Sequence, residues 1–192
     1  MAKLGFIGLG IMGKPMAGHL LKAGHEVSVY DLNPGPVQEM ASKGARPCGS
    51  NREVAQKSEV VFIIVQDTPD VEAVLFGREG LAEGLKEGST VVDMSSISPI
   101  ATKEFARKLA ALRVKMLDAP VSGGQVGAEN ATLSIMVGGE AEVFEKIKPY
   151  FQLLGKNIVH VGGNGDGQTC KVANQIVVAL NIEAVAEALL FA

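Results

Sequence analysis

Near its N-terminus the chain reads LGFIGLGIMG over residues 4–13, a short apolar run followed by a glycine pattern. Leu4 to Ile7 predicts a buried strand, and Ile11 to about Ala23 predicts a helix that stops at Gly24. The glycines between them allow a tight turn, a close approach of backbone N–H groups to an anion, and close packing of helix on strand. The stretch therefore predicts a strand-turn-helix unit with a phosphate-binding helix N-terminus.

A carboxylate stands where the second half of a dinucleotide-binding fingerprint is expected. The predicted strand Glu26 to Tyr30 ends at Asp31, roughly 20 residues beyond the glycines, where a carboxylate can accept hydrogen bonds from both adenosine ribose hydroxyls. The alternative is that Asp31 only caps the turn over residues 31–34. No arginine lies between Asp31 and Met40 to receive a 2′-phosphate, so NAD is favoured over NADP. The candidate cofactor residues of this unit are Gly8, Leu9, Gly10, Ile11, Met12, Gly13 and Asp31.

The rest of the chain repeats the alternation of apolar runs with turns and helix-like stretches. Helices are predicted to begin at Ser98-Pro99, with Ser98 as the cap, and to run from Glu140 to Leu154. The further predicted strands are Val60 to Val65, Thr90 to Asp93, Lys115 to Leu117, Leu133 to Val137 and Asn157 to Val161. The pattern predicts an α/β fold of the Rossmann type, with a doubly wound, mostly parallel sheet covered by helices on both faces.

One compositional break suggests the domain organisation. Residues 161–167 read VGGNGDG, and Gln168 to Ala192 contains neither glycine nor proline, which predicts one long helix with a broad apolar surface. We expect residues 1–162 to form the NAD-binding domain. Residues 163–192 are then a glycine joint and the start of a long helix that leads out of this domain.

Composition excludes several classes of protein. The 192 residues are 47% hydrophobic and 20% charged, which is not the composition of a disordered chain. A net charge of -3 without a basic block gives no reason to expect nucleic acid or a membrane as a partner. Cys48 and Cys170 lie outside any metal-ligand spacing, so no metal site and no disulfide is expected. With no export signal and no apolar run near the ~18 residues of a membrane span, we expect a cytoplasmic protein.

Two later motifs connect the chain to a known family. Residues 118–124 read DAPVSGG and residues 165–174 read GDGQTCKVAN, while KPMA at residues 14–17 extends the glycine turn. With these motifs the chain resembles, from end to end, the β-hydroxyacid dehydrogenase family, which includes 3-hydroxyisobutyrate dehydrogenase. The resemblance implies NAD-dependent hydride transfer between nicotinamide and a short β-hydroxyacid or semialdehyde. It also implies that the long helix over residues 163–192 is an interdomain helix leading to a C-terminal all-α domain, which is absent or truncated here, and that the full-length form is a homo-oligomer. Such a fragment is expected to bind NAD and to be poorly active alone.

The same resemblance implies roles for individual residues. Reduction of an aldehyde creates an alkoxide that needs a proton donor, and Lys171 matches the catalytic lysine of the family. The alternative for Lys171 is a solvated helix lysine, as most lysines are. Asn174 lies three residues further along the same helix face and can share the cleft. The implied substrate-binding residues are Ser122, Gly123, Gly124 and Asn174. The implied cofactor contacts beyond the glycine turn are Val65, Gln66 and Ser96.

Other functions remain open at this point. A non-catalytic dinucleotide-binding or scaffold module and an imine reductase are alternatives, although Lys171 argues against both. Within the family, 3-hydroxyisobutyrate, glyoxylate and succinic semialdehyde are alternative substrates. The three histidines form no ligand cluster by spacing, and His19 is expected to serve packing or to lie at the surface.

Overall fold

A nine-stranded, mostly parallel sheet lies at the centre of the computed structural model, which describes residues 1–192. Its strands are β1 (Lys3–Ile7), β2 (Glu26–Tyr30), β3 (Arg46–Pro47), β4 (Val60–Ile63), β5 (Thr90–Asp93), β6 (Lys115–Asp118), β7 (Val121–Ser122), β8 (Leu133–Gly138) and β9 (Gly155–Gly162). Six of them run in the order β3-β2-β1-β4-β5-β6, and β8 pairs antiparallel with β6 and β7 and parallel with β9. The strand order reverses beside β1, as in doubly wound nucleotide-binding sheets. The prediction of an α/β Rossmann-type fold is confirmed.

Eight α-helices connect and cover the strands. They are α1 (Gly13–Lys22), α2 (Pro34–Ser42), α3 (Asn51–Lys57), α4 (Thr68–Phe76), α5 (Pro99–Ala111), α6 (Gly124–Glu129), α7 (Ala141–Phe151) and α8 (Asp166–Phe191). A 3₁₀ turn spans Leu81–Glu83. Side-chain oxygens of Asn33, Ser50 and Ser98 accept the backbone N–H groups that the first turns of α2, α3 and α5 leave unpaired. Ser98 is thus the cap that its position before Pro99 predicts.

Alternate strand residues pack on opposite layers of helices. Phe6 and Phe62 stack with their ring centroids 6.1 Å apart, in the apolar cluster that includes α1 and α7. Ile7 and Ile63, the next residue on each strand, belong to the cluster on the other face with α3, α4 and α5. Because both faces are covered, the central strands are mostly apolar, and β4 is apolar along its whole length. The carboxyl ends of β1, β2, β4, β5 and β6 meet at one edge of this sheet.

The helix α8 differs from the other helices. Only Gly167, Gln168 and Lys171 of its 26 residues are buried. Large apolar side chains from Val172 to Phe191 are exposed. By length and composition α8 could cross a membrane, so the expectation that no stretch approaches a membrane span is wrong. One such helix is weak evidence for a membrane, because a long apolar helix of a soluble protein meets the same criteria.

Some predicted boundaries also differ. The strand predicted to reach Val65 ends at Ile63, because Val65 leaves the sheet and donates its N–H to the Ser95 hydroxyl oxygen. The long helix begins at Asp166, inside the stretch predicted as a joint. The sequence pattern does not delimit the helices α2, α3 and α4 individually.

Candidate functional site

The glycine turn after β1 leaves an open hollow at its second glycine. Gly8 has a φ of +89°, and a Cβ atom there would collide with the carbonyl oxygen of Ile64. A Cβ atom on Gly13 would collide with the carbonyl oxygen of Gly8. Gly10 is exposed, and a Cβ atom on it would meet nothing within 4 Å. Gly8 and Gly13 are therefore required by the packing of the turn, whereas Gly10 leaves space for a ligand to approach the backbone.

Asp31 ties the end of β2 to this turn. Its Oδ2 atom accepts the backbone N–H of Leu9 at 2.6 Å, and its Oδ1 atom accepts that of Asn33 at 2.7 Å. The second bond is the turn-capping contact, so the capping alternative describes part of what Asp31 does. The carboxylate remains partly exposed at the carboxyl edge of the sheet, beside the glycine turn.

The loops after β4 and β5 are held together by Ser95. The Ser95 hydroxyl accepts the N–H of Val65 at 3.0 Å, and the Ser95 N–H donates to Oδ1 of Asp93 at 3.0 Å. Val65 is half-buried, with a methyl group 3.2 Å from the position of a Cβ atom on Gly8. Gln66 and Ser96 are exposed at the same edge. The structure thus brings Val65 to the glycine turn and leaves Gln66 and Ser96 free to face solvent or a ligand.

A buried carboxylate at the end of β6 caps α8. Oδ1 of Asp118 accepts the N–H of Gly165 at 2.8 Å, and Oδ2 accepts the N–H of Gln168 at 3.0 Å. Carboxylate oxygens at a helix N-terminus accept hydrogen bonds from the unpaired N–H groups there, and a negative charge at this place interacts favourably with the positive end of the helix dipole. Burial raises the pKa of Asp118, and the two backbone N–H groups oppose that rise. The cap fixes where α8 leaves the sheet.

Gln168 joins the same helix turn to the loop after β5. Its side-chain amide donates to the carbonyl oxygen of Ser95 at 2.8 Å and accepts the N–H of Ile97 at 3.1 Å. Only 1% of the residue is exposed, so both bonds lie out of water. The first turn of α8 is therefore bonded to the ends of two neighbouring strands.

Lys171 lies one turn further along α8. It is 9% exposed, and its ammonium forms neither a hydrogen bond nor an ion pair with the rest of the chain. Burial lowers the pKa of this ammonium below its usual range, since the charged form is poorly solvated and no carboxylate compensates. Most of the Lys171 side chain is thus buried, unlike that of an ordinary solvated helix lysine, and its catalytic role stays a prediction.

Asp93 is the second buried carboxyl group at this edge. Its Oδ2 atom has no partner, and burial raises the pKa of Asp93 to about 7, helped by the nearby charge of Asp118 and opposed by bonds from Ser95. A carboxyl group with this pKa carries its proton in a large fraction of molecules at neutral pH. A carboxyl group that is partly protonated at neutral pH thus lies at the end of β5, directly before the loop that bears Ser95 and Ser96.

The predicted substrate-binding residues occupy two places. Ser122 ends β7 opposite Ser134, and Gly123 and Gly124 follow it, exposed, with φ values of +130° and +59°. Asn174 is half-buried on α8 and donates to the side chain of Gln175 at 3.2 Å, with no bond to Lys171. In the chain by itself, no direct bond joins either group to Lys171.

His19 contributes a contact that the sequence did not indicate. Its Nε2 atom lies 2.9 Å from the carbonyl oxygen of Ala128 and 3.1 Å from that of Glu129. These carbonyls lie at the end of α6, which begins at Gly124 and has Gly123 as its N-cap residue. His19 therefore links the helix of the glycine turn to the segment that bears the second glycine motif.

The strand order, the glycine turn after β1 and the carboxylate after β2 define a dinucleotide-binding α/β domain. Residues 3–162 match the family model described as the NAD-binding domain of 6-phosphogluconate dehydrogenase, so the cofactor is NAD. The chain belongs to the β-hydroxyacid dehydrogenase family, and the resemblance seen in the sequence motifs is confirmed.

Individual relatives agree with this assignment. The chain is 62% identical over 190 residues to 2-hydroxy-3-oxopropionate reductase of Escherichia coli (strain K12), covering 99% of this chain and 65% of that protein. It is 44% identical to 2-(hydroxymethyl)glutarate dehydrogenase of Eubacterium barkeri, covering 97% and 62% of the two chains. The structure of 3-hydroxyisobutyrate dehydrogenase of Mycobacterium tuberculosis with L-serine matches with a TM-score of 0.92 and 32% identity, over 98% and 64%. The chain thus spans just under two thirds of the length of these relatives.

Proposed function

We propose that the protein is an NAD-dependent reductase of a short semialdehyde, with tartronate semialdehyde as substrate and D-glycerate as product. The observation that carries the proposal is Lys171, a lysine that is only 9% exposed and whose ammonium has no partner in the chain, one helix turn after the Gln168 side chain that is bonded to the loop after β5. The 62% identity to 2-hydroxy-3-oxopropionate reductase supports this substrate over other short hydroxyacids.

The carboxyl edge of the sheet has the groups needed to hold NAD. The open space at Gly10 would admit a pyrophosphate to the N-terminus of α1, and the Asp31 carboxylate would accept hydrogen bonds from the adenosine ribose hydroxyls. Val65, Gln66 and Ser96 would hold the nicotinamide half. When bound, NADH supplies the hydride that the substrate carbon receives. The charge of Asp31 favours NAD over NADP, because it repels a 2′-phosphate.

Lys171 supplies the proton. As the aldehyde carbon gains hydride, the carbonyl oxygen becomes an alkoxide, and an O–H bond forms as the N–H bond of the ammonium breaks. A lowered pKa brings lysine closer to neutral pH, where a general acid and base is most effective in both directions. In the oxidative direction the neutral amine accepts the proton of the alcohol. Lys171 is the only buried lysine of the chain.

The substrate carboxylate needs donors on the other side of the cleft. Ser122 offers a hydroxyl, and Gly123 and Gly124 offer exposed backbone without side chains that would block an anion. Asn174, on the same face of α8 as Lys171, can turn its amide from Gln175 to the substrate. These roles follow the family resemblance and fit the exposure of each residue.

The domain division follows the packing of α8. We propose that residues 1–162 act as the NAD-binding domain and that residues 163–192 carry Lys171 and connect this domain to a further protein surface. The exposed apolar side chains from Val172 to Phe191 favour such a surface, as in a homo-oligomer. Both cysteines are free thiols, which favours the reducing cytoplasm.

The test is oxidation of NADH, followed by its absorbance, with a panel of aldehydes. Tartronate semialdehyde is expected to give the highest kcat/KM, above methylmalonate semialdehyde, succinic semialdehyde and glyoxylate. NADPH in place of NADH is expected to give a lower rate. Binding of NADH with no detectable turnover of any aldehyde, even at high enzyme concentration, would overturn the reductase proposal and favour the non-catalytic dinucleotide-binding module.

A further inference from the structure

The side chain of Gln168 makes bonds that no cofactor or substrate role requires. Its amide group bridges the carbonyl of Ser95 and the N–H of Ile97, which lie 73 and 71 residues away along the chain. A glutamine that satisfies both ends of its amide on backbone groups, at 1% exposure, is held in one orientation. It therefore fixes the distance between α8 and the loop after β5.

The spacing on α8 connects this contact to Lys171. Gln168 precedes Lys171 by three residues, so the two side chains lie on the same side of the helix, one turn apart. The N–H of Gln168 is itself bonded to the carboxylate of Asp118. Both the backbone and the side chain of Gln168 are thus attached to the sheet, through β6 and through the loop after β5.

No hydrogen bond or ion pair of its own holds the Lys171 side chain in place. Its ammonium has no partner, and beyond it the side chains of α8 are half-buried or exposed. The position of Lys171 therefore depends on the first turn of its own helix, and Gln168 is the side chain that ties that turn to the loop bearing Ser95 and Ser96.

We propose that Gln168 is a positioning residue. It holds Lys171 at a fixed distance from the loop after β5, which bears Ser95 and the proposed cofactor-binding residue Ser96. The proposal rests on the proposed function in that Lys171 is the proton donor whose placement matters. A displacement of a reacting group by about 1 Å costs roughly 100-fold in rate, so the loss of this tie affects turnover more than binding. The geometry of the tie itself does not depend on the substrate.

Two substitutions separate positioning from folding. Gln168→Met keeps the volume of the side chain and loses both bonds, while Gln168→Glu keeps the acceptor for Ile97 and loses the donor to Ser95. Val54→Ala, in the apolar cluster on α3 and away from this edge, is the control for a general loss of stability. Gln175→Met is the control for the same chemical change at an exposed site on α8.

The decisive readout is the titration of Lys171 in the whole 192-residue chain. The rate of its acylation by acetic anhydride is measured against pH by mass spectrometry of the labelled peptide. Gln168→Met is expected to shift the Lys171 titration to higher pH, toward that of the exposed lysines, because a loosened first turn hydrates the ammonium. Val54→Ala and Gln175→Met are expected to leave it in place. An unchanged Lys171 titration in Gln168→Met overturns the proposal.

Turnover supplies the second readout. Gln168→Met is expected to lower kcat for the semialdehyde by roughly 10- to 100-fold while the Kd of NADH changes by less than about twofold. Gln168→Glu is expected to show an intermediate loss of kcat. If Gln168→Met does not fold, both kcat and the Lys171 titration are measured on Gln168→Glu instead. If wild type turns over no aldehyde and the Lys171 titration still shifts in the variant, the reductase proposal fails and the positioning role stands. Equal losses of kcat in Gln168→Met and Val54→Ala would contradict positioning.

Discussion

Asp93 and Asp118 lie directly opposite each other at the carboxyl ends of β5 and β6, and both residues have no exposed surface. Asp118 uses both oxygens to cap α8, whereas Asp93 has one oxygen bonded to Ser95 and one without a partner. Two buried carboxyl groups this close disfavour a second negative charge, so the proton resides on the one with fewer donors. The carboxyl edge of the sheet therefore contains one carboxyl group that caps α8 and a second, Asp93, that is neutral in a large fraction of molecules at neutral pH.

Asp93 makes stability depend on pH. Its pKa in the folded protein is about 7, above the ordinary value of 3.8, so the fold favours the protonated form. The stabilisation from that proton is complete below the unfolded-state pKa and is lost as the pH rises through about 7. The Asp93→Asn side chain stays neutral at every pH. From pH 5 to pH 8 the free energy of unfolding is therefore expected to fall by a few kcal/mol less in this variant than in wild type, at about 1.4 kcal/mol per pKa unit. Urea unfolding at both pH values measures this, and a fall as steep as that of wild type would show that Asp93 is not the group responsible.

Two glycines of the turn are expected to respond oppositely to an added methyl group. Gly10→Ala places the methyl in open space, so we expect unchanged thermal stability and an NADH affinity at least about tenfold lower, through loss of the close phosphate approach. Gly13→Ala forces the methyl against a backbone carbonyl, and overpacking of this kind costs about 1–3 kcal/mol. Thermal melting and fluorescence titration with NADH are measured on both variants. An NADH affinity of Gly10→Ala equal to that of wild type would show that the cofactor does not bind against the glycine turn.

The Asp31 carboxylate is expected to set both affinity and cofactor choice. Asp31→Asn removes a charged hydrogen-bond acceptor worth about 1.5–3 kcal/mol, so the Kd of NADH should rise about 10- to 100-fold. The preference for NADH over NADPH should narrow, because the repulsion of the 2′-phosphate is gone. Asn33→Ala is the matched control: it removes the cap of α2, at a cost of about 1 kcal/mol in stability, and leaves the carboxylate in place. Equal effects of the two substitutions on NADH binding would reduce Asp31 to a turn-forming residue.

His19 is expected to affect the substrate side of the site. His19→Ala removes the contacts to the carbonyls of Ala128 and Glu129, which loosens α6 and the glycines before it. We expect the KM for the semialdehyde to rise severalfold with the Kd of NADH unchanged. His25→Ala, which removes a contact with the N-terminal Ala2 instead, serves as the control. An unchanged KM in His19→Ala would mean that α6 keeps its position without this bond.

The sequence predicted the sheet and its glycine turn because those signals are local. Strand, turn and helix N-terminus all lie within residues 4–23, and Asp31 follows in the next strand. The support beneath Lys171 could not be predicted in this way, because Gln168 and Asp118 act on backbone groups about 50 to 70 residues distant. The one available signal was that two apolar strands end in aspartate at the same edge of the sheet.

The end of β4 shows the same limit. Apolar sequence continues to Val65, so periodicity alone extends the strand to that residue. The chain leaves the sheet after Ile63 because the Ser95 hydroxyl, 30 residues further on, binds the N–H of Val65. Contacts of this kind depend on the finished fold and leave no pattern in the strand itself.

The role of Lys171 is tested most directly by Lys171→Met, measured for tartronate semialdehyde turnover and for NADH binding in the same preparation. Methionine matches the length of the buried side chain and carries no proton to donate. We predict that kcat falls by at least about 1000-fold, within the range attributed to general acids, while the Kd of NADH stays within about twofold of wild type. Turnover that survives the substitution, or NADH binding that is lost together with turnover, would contradict the assignment of Lys171 as the proton donor.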